Sequence, residues 1–298
     1  RRVGPHGYDP PMTDDALAAV RAVLERERPR REAALARARP IAPDDPEVED
    51  LVRDLASAMT AESLGHDPYW PKWATPWWKL LLLRELDLLR LAPRSALDAL
   101  GHAVAEKYLT SFPFTLEQVP PGADPYRDIL CHCALGGVSQ VLRGAGRDPD
   151  EVVPWSRGWF LRYQLADGGL NCDEEAYVRP TPRSSVVSTA PALEAVLDKP
   201  VRSPGEDAFL ARGAGYLLAR GLGTRSLSRG GPIDPTWLDP VFPRYYLYDV
   251  LRGLTFVTRW AAAVGANLPA QALVEAVTAV AARTDDAGAL APRRGDHA

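Results

Sequence analysis

The sequence predicts an all-α protein, with an inner ring of helices wrapped by an outer one. Three observations lead there. Period-2 alternation of β-branched residues is rare, while apolar residues recur at helical spacing along most of the 298 residues. Aromatic- or proline-led segments recur roughly every 50 to 60 residues, which suggests a repeated helix pair. The recurring helices are of two kinds: one is apolar on most faces and must be buried, the other is amphipathic.

In chain order, the pattern predicts a helix over 13–38 broken near Pro29, and a second over 46–61. The second opens at Asp44-Asp45-Pro46, a cap with proline in the first turn. The apolar set follows as 75–86, 124–142, 181–197 and 242–265, alternating with amphipathic helices at 94–109, 152–165, 205–220 and 268–283. Connections 110–125, 166–183 and 221–243 are rich in proline and glycine, and loops of that length are uncommon without a function. Residues 1–45 read as a helical extension and 46–298 as one domain.

Composition narrows the partners. With 46% hydrophobic residues the chain can bury a sizeable core. No run of 18 apolar residues occurs, so no transmembrane segment is expected, and "RRVGPHGYDPPM" lacks the apolar stretch of a secretory leader. Three cysteines argue against a disulfide framework and for a reducing, cytoplasmic setting. On a helix, Cys131 and Cys133 would point about 200° apart and could not pair. Net charge is −4, with 31 arginines mixed among acids and no basic block, so no nucleic-acid partner is expected.

Four groups carry candidate chemistry. In "NCDEE", Asp173 and Glu174 beside Cys172 could form an acid of raised pKa, or a solvated loop facing Arg179 and Arg183. In "YRDILCHC", Asp128 and His132 are spaced i, i+4 with Cys131 beside them; they suit a general acid/base pair, a zinc site with Cys172 or Asp173, or a satisfied core histidine. Cys133 reads as core. In "RYYLYDVLRG", Tyr245 and Asp249 share a helical face and Asp249 lies three before Arg252; Tyr245 and Tyr246 suit a cavity wall, and Asp249–Arg252 a structural ion pair. In "YWPKWATPWWK", Trp77 and Trp78 could reach a cavity, a membrane interface or a partner, or pack a loop. Ser184 and Ser185 could bind a ligand or cap a helix.

Gln164-Leu165-Ala166-Asp167-Gly168-Gly169-Leu170 resembles the Q-x-x-D-G-x-W repeat of the squalene–hopene cyclase and protein prenyltransferase superfamily, with a weaker copy at "RTDDAGAL" (283–290). "SSVVSTAPALEAVL" and "FPRYYLYDVLRGL" resemble inner-helix entries of bacterial repeat proteins of that superfamily. The resemblance covers about 150–290 and implies an α/α toroid around a central cavity. Leu170 stands where the repeat has tryptophan, and neither D-x-D-D nor D-D-x-x-D occurs. Protein prenyltransferases hold zinc with Asp and Cys at one inner helix and His on a later one; here Cys172 and Asp173 are adjacent and His132 comes earlier.

The leading expectation is an enzyme that holds an apolar or amphiphilic small molecule in the cavity for acid-initiated cyclisation, isomerisation or rearrangement. Its acids would be Asp173, Asp128 and His132, and its wall Trp77, Trp78, Cys131, Cys172, Glu174, Ser184, Ser185, Tyr245, Tyr246 and Asp249. The alternatives are a non-catalytic scaffold for a lipid, peptide or partner, and a zinc-dependent transferase or lyase using Asp128, His132 and Cys172 or Asp173. The sequence itself requires no cofactor and leaves the oligomeric state open.

Overall fold

Short polar side chains and prolines fix where the helices begin. Asp45 accepts the Glu47 N–H at 3.0 Å ahead of Pro46. Ser203 and Glu206 form a reciprocal capping box ahead of Pro204. The computed structural model describes residues 14–38, 41–290 and 292–294. Among them lie α1 (Asp14–Arg37), α2 (Pro46–Leu55), α3 (Ala58–His66), α4 (Pro76–Glu85), α5 (Arg94–Lys107) and α6 (His132–Gly144). The short α7 (Pro149–Val152) and α8 (Trp159–Arg162) follow, then α9 (Val186–Leu197), α10 (Pro204–Ala219), α11 (Val250–Val264) and α12 (Ala270–Ala281). Two-residue strands β1 (Val241–Phe242) and β2 (Arg293–Arg294) pair in parallel. None of the described helices is long and apolar enough to cross a membrane.

The chain is thus all-α, with boundary corrections. Pro29 lies inside a continuous α1. The helix expected over 46–61 is two helices, separated at Ala56 and Ser57. The one expected over 152–165 is reduced to the single turn of α8 and a 3₁₀ turn at Pro154–Ser156. Three apolar helices start late, at His132 rather than 124, at Val186 rather than 181 and at Val250 rather than 242. Of the N-terminal extension read over 1–45, residues 1–13, 39 and 40 lie outside the described residues.

The apolar helices pack in sequence, α4 on α6, α6 on α9 and α9 on α11. The closest approach is α6 to α9, where a Cβ added to Gly136 would lie 2.6 Å from the Pro191 carbonyl carbon. The segment before α11 returns to α4. The Glu85 carboxylate accepts the Arg244 N–H at 2.7 Å and also that of Tyr245, while the Tyr245 and Tyr246 rings stack on Trp73. A buried pair joins α9 to α11: Arg252 donates to both Glu194 oxygens, at 2.8 and 2.6 Å, and is 3% exposed. The expected Asp249–Arg252 ion pair is therefore replaced. Asp249 caps α11 instead, accepting the Arg252 and Val241 N–H groups and Arg244 Nε.

The glycine turn recurs with its hydrogen bonds. Leu165 N–H donates to Gly169 O and Gly168 N–H to Leu165 O; Asp285 and Ala289, and Gly288 and Asp285, repeat both bonds. The glycines have φ of +93° and +80°. A Cβ on Gly168 would strike the Arg212 carbonyl of α10, and one on Gly288 the Arg30 carbonyl of α1. Gln164 staples the first turn to α10 through Phe209 O and Arg212, and Arg37 of α1 grips the second at Ala287 O. Helix α1 thus stands to the second turn as α10 stands to the first.

Candidate metal centre

The chain has three cysteines, and they meet. Helix α6 is delayed because its expected first turn is diverted. The Asp124 carboxylate accepts the Tyr126 N–H, the Asp128 carboxylate accepts the Asp124 N–H, and the Asp128 carbonyl accepts the Leu109 N–H. Cys131 is then the extended residue capping α6, at φ −68° and ψ 160°, while Cys133 lies in the first turn. Because only one of the two is helical, the 200° separation does not apply, and their sulfurs lie 3.3 Å apart. Cys172 arrives from the loop after the glycine turn, its N–H held by Ser188 Oγ at 3.0 Å, and its sulfur lies 3.7 Å from that of Cys133. All three sulfurs fall within 4.8 Å of one another.

That spacing suits a soft metal ion. Zinc–thiolate bonds of about 2.3 Å place the sulfurs of a tetrahedral site about 3.8 Å apart, and a catalytic site takes three protein ligands and leaves one position open. Cys133 is buried, whereas Cys131 and Cys172 are half-buried. Hydrogen bonds from the Cys133 and Cys172 thiols, the Ala134 N–H and the charge of Lys72 together outweigh burial and hold the Cys131 thiol well below its ordinary range. Hydrogen bonds to Cys131 and Cys172, then burial, push Cys133 up; the bond to Cys131, then burial, push Cys172 up to about 11 against the lowering effect of its bond to Cys133.

An aromatic group stands beside the thiols. Lys72 Nζ lies 5.1, 5.2 and 5.7 Å from the Trp70, Tyr246 and Tyr69 ring centroids, and 3.3 Å from the Tyr246 hydroxyl. Burial, then the thiols, push the Tyr69 hydroxyl far up. Tyr69 packs on Trp77 and Trp78, which are 1% exposed and belong to the core rather than to an open wall. Tyr245, raised to about 12 by burial and then by Glu85, has positive φ and precedes α11, so it shares no helical face with Asp249.

The expected acid–base constellation does not assemble. Asp128 is spent on its turn and lies outside the helix, so the i, i+4 pairing with His132 is absent. His132 is fully buried; Nδ1 accepts the Trp159 indole N–H at 2.9 Å and Nε2 donates to the Tyr177 hydroxyl at 3.0 Å. Tyr177 in turn donates to Tyr163 O. Burial pushes His132 down to about 4, and both ring nitrogens are engaged, so it is neutral and not free to ligate. Asp173 caps the 3₁₀ turn Glu174–Tyr177 and sits exposed, 3.5 Å from Arg179. The acid raised by burial and by its acidic neighbours is Glu174, half-buried beside Cys172. Ser185 caps α9, and Ser184 is bonded to Asp167. Sequence reasoning missed Cys133 as a site member, and Lys72 and Tyr69; the readable signal was Asp124-Pro125 with Asp128, a turn-forming set ahead of the true helix start.

Comparison of the chain with family models, curated proteins and solved structures returned no match.

Proposed function

We propose that the protein is a zinc-dependent transferase or lyase, with the ion held by Cys131, Cys133 and Cys172 and its fourth position open to a substrate thiol or water. The observation that carries this reading is the meeting of every cysteine of the chain, from segments 39 residues apart, within 4.8 Å. Buried cysteines pack singly as small apolar residues; that use does not call for three sulfurs in mutual contact at a helix start, two of them only partly buried.

The chemistry follows from charge. Three thiolates around a dication leave one net negative charge, which makes the ion a weak electrophile. It suits holding a substrate thiol in its deprotonated, nucleophilic form. Lys72 and its ring cage lie where a developing anion or an apolar partner group can be received. Asp128, His132 and Asp173, the acids expected for a cyclisation, are each committed to local hydrogen bonds or ion pairs, which leaves Glu174 as the acid of raised pKa beside the thiols.

We also read the architecture as an α/α toroid. Its support is the sequential packing of α4, α6, α9 and α11, the return of the 242–249 segment to α4, and the repeated turn that treats α1 as the next outer helix.

Cobalt substitution tests the open position. Cobalt-loaded protein is expected to show sulfur-to-metal charge-transfer absorption, and adding a simple alkyl thiol should change the visible bands as it enters the fourth position. Charge-transfer absorption that no thiol perturbs would indicate a closed structural site and contradict the catalytic reading.

A further inference from the structure

At the other end of the apolar helices lies a basin of about 930 Å³ that the thiols do not touch. It gathers the last turns of α4, α6 and α9 with β1 and α11. Its wall carries five arginines, Arg84, Arg90, Arg143, Arg244 and Arg259, against the carboxylates of Glu85, Asp87 and Asp198. Two of those carboxylates are occupied: Glu85 by the Arg244 and Tyr245 N–H groups, and Asp198 by Arg259 at 2.7 Å. Beyond the wall, Glu194 and Asp249 are occupied by Arg252 and Arg244.

Three groups in the basin are left wanting. Arg84 makes no side-chain hydrogen bond or ion pair among the described residues, although Glu194 feels its charge. Arg143 reaches Asp148 only at 3.5 Å, and its buried Nε has no partner. Gln140 is 3% exposed; its Nε2 donates to Pro191 O at 3.0 Å, which fixes the amide and leaves Oε1 buried without a donor. A buried polar atom left unmatched is destabilising. Arginines at helix C-termini can simply offset the dipole, but neither Arg84 nor Arg143 bonds a last-turn carbonyl.

We propose that this basin binds a small phosphate ester that also carries a hydroxyl. Arg84 and Arg143 take the phosphate through their guanidinium forks. Gln140 Oε1, which only accepts, takes the hydroxyl of the ester as its donor. The volume suits a small ligand, and the site is independent of the metal reading.

Calorimetric titration of the full chain with glycerol 3-phosphate tests this. The expected dissociation constant is below about 1 mM, at least ~10-fold weaker in Arg84→Gln and in Arg143→Gln. Gln140→Leu should reduce the affinity to that for inorganic phosphate. Arg84 has no contact to lose, so Arg84→Gln keeps the test decisive should another variant misfold. The same titration on Cys131→Ser separates the sites: binding that disappears with the thiol belongs to the metal and overturns the basin. So does the absence of binding by the wild type up to about 10 mM, or equal affinity in the arginine variants.

Discussion

At the residue scale, neighbours in sequence have opposite fates. His132 sits between two metal-competent cysteines, yet its ring turns into the core and is satisfied on both nitrogens. Trp159→Phe removes the donor to Nδ1 and should cost about 1–3 kcal/mol in denaturant unfolding without lowering metal content. The Glu194–Arg252 pair makes a sharper prediction. Glu194→Gln leaves a buried guanidinium without its counter-charge and should cost roughly 3–5 kcal/mol. The pair also sets a pH dependence. Burial alone would raise Glu194, but the charge and hydrogen bonds of Arg252 outweigh it, so the folded carboxyl titrates below its ordinary value of 4.5. Near that pH the unfolded chain binds more protons than the folded one. The pair's contribution is therefore complete above about pH 5 and is lost as pH falls through the depressed value. Urea midpoints across that range check it, with Glu194→Gln showing a flatter acid limb.

At the element scale, helix existence was legible and helix starts were not. The 75–86, 94–109, 205–220 and 268–283 patterns each contain one helix with boundaries close to those expected. The late starts have a common cause: side chains or backbone from other elements take the hydrogen bonds that a helix would have used. Leu109 takes the Asp128 carbonyl, Glu85 takes the Arg244 and Tyr245 N–H groups, and Arg252 takes the Tyr245 and Leu247 carbonyls. Each partner lies far along the chain or depends on a tertiary ion pair, so local pattern does not encode it. The diverted start before His132 is also what makes the thiol cluster, which is why Cys133 read as core. Where α6 meets α9, Gly136→Ala places a methyl against the Pro191 backbone, which cannot rotate away. A loss of about 2–3 kcal/mol is expected, with a lower unfolding midpoint.

At the scale of the whole molecule, the repeated glycine turn was visible in the sequence as two copies, while its partner helices were not. The second copy meets α1, which also packs on α12 through Ala16, Val20 and Ala270. Removing residues 1–41 should therefore uncover α12 and lower Tm by roughly 4–8 °C, on about 2 kcal/mol of lost burial; an unchanged Tm would show that α1 contributes nothing to the stack. The fold brings two distant segments to one point at the cysteines. Metal content of protein purified without chelators tests that most directly. The protein should carry about one equivalent of zinc per chain, lost in Cys131→Ser, Cys133→Ser and Cys172→Ser and retained in Asp128→Asn and Asp173→Asn. Less than about a tenth of an equivalent of any transition metal in zinc-supplemented wild type, or zinc that survives all three serine substitutions, would contradict it.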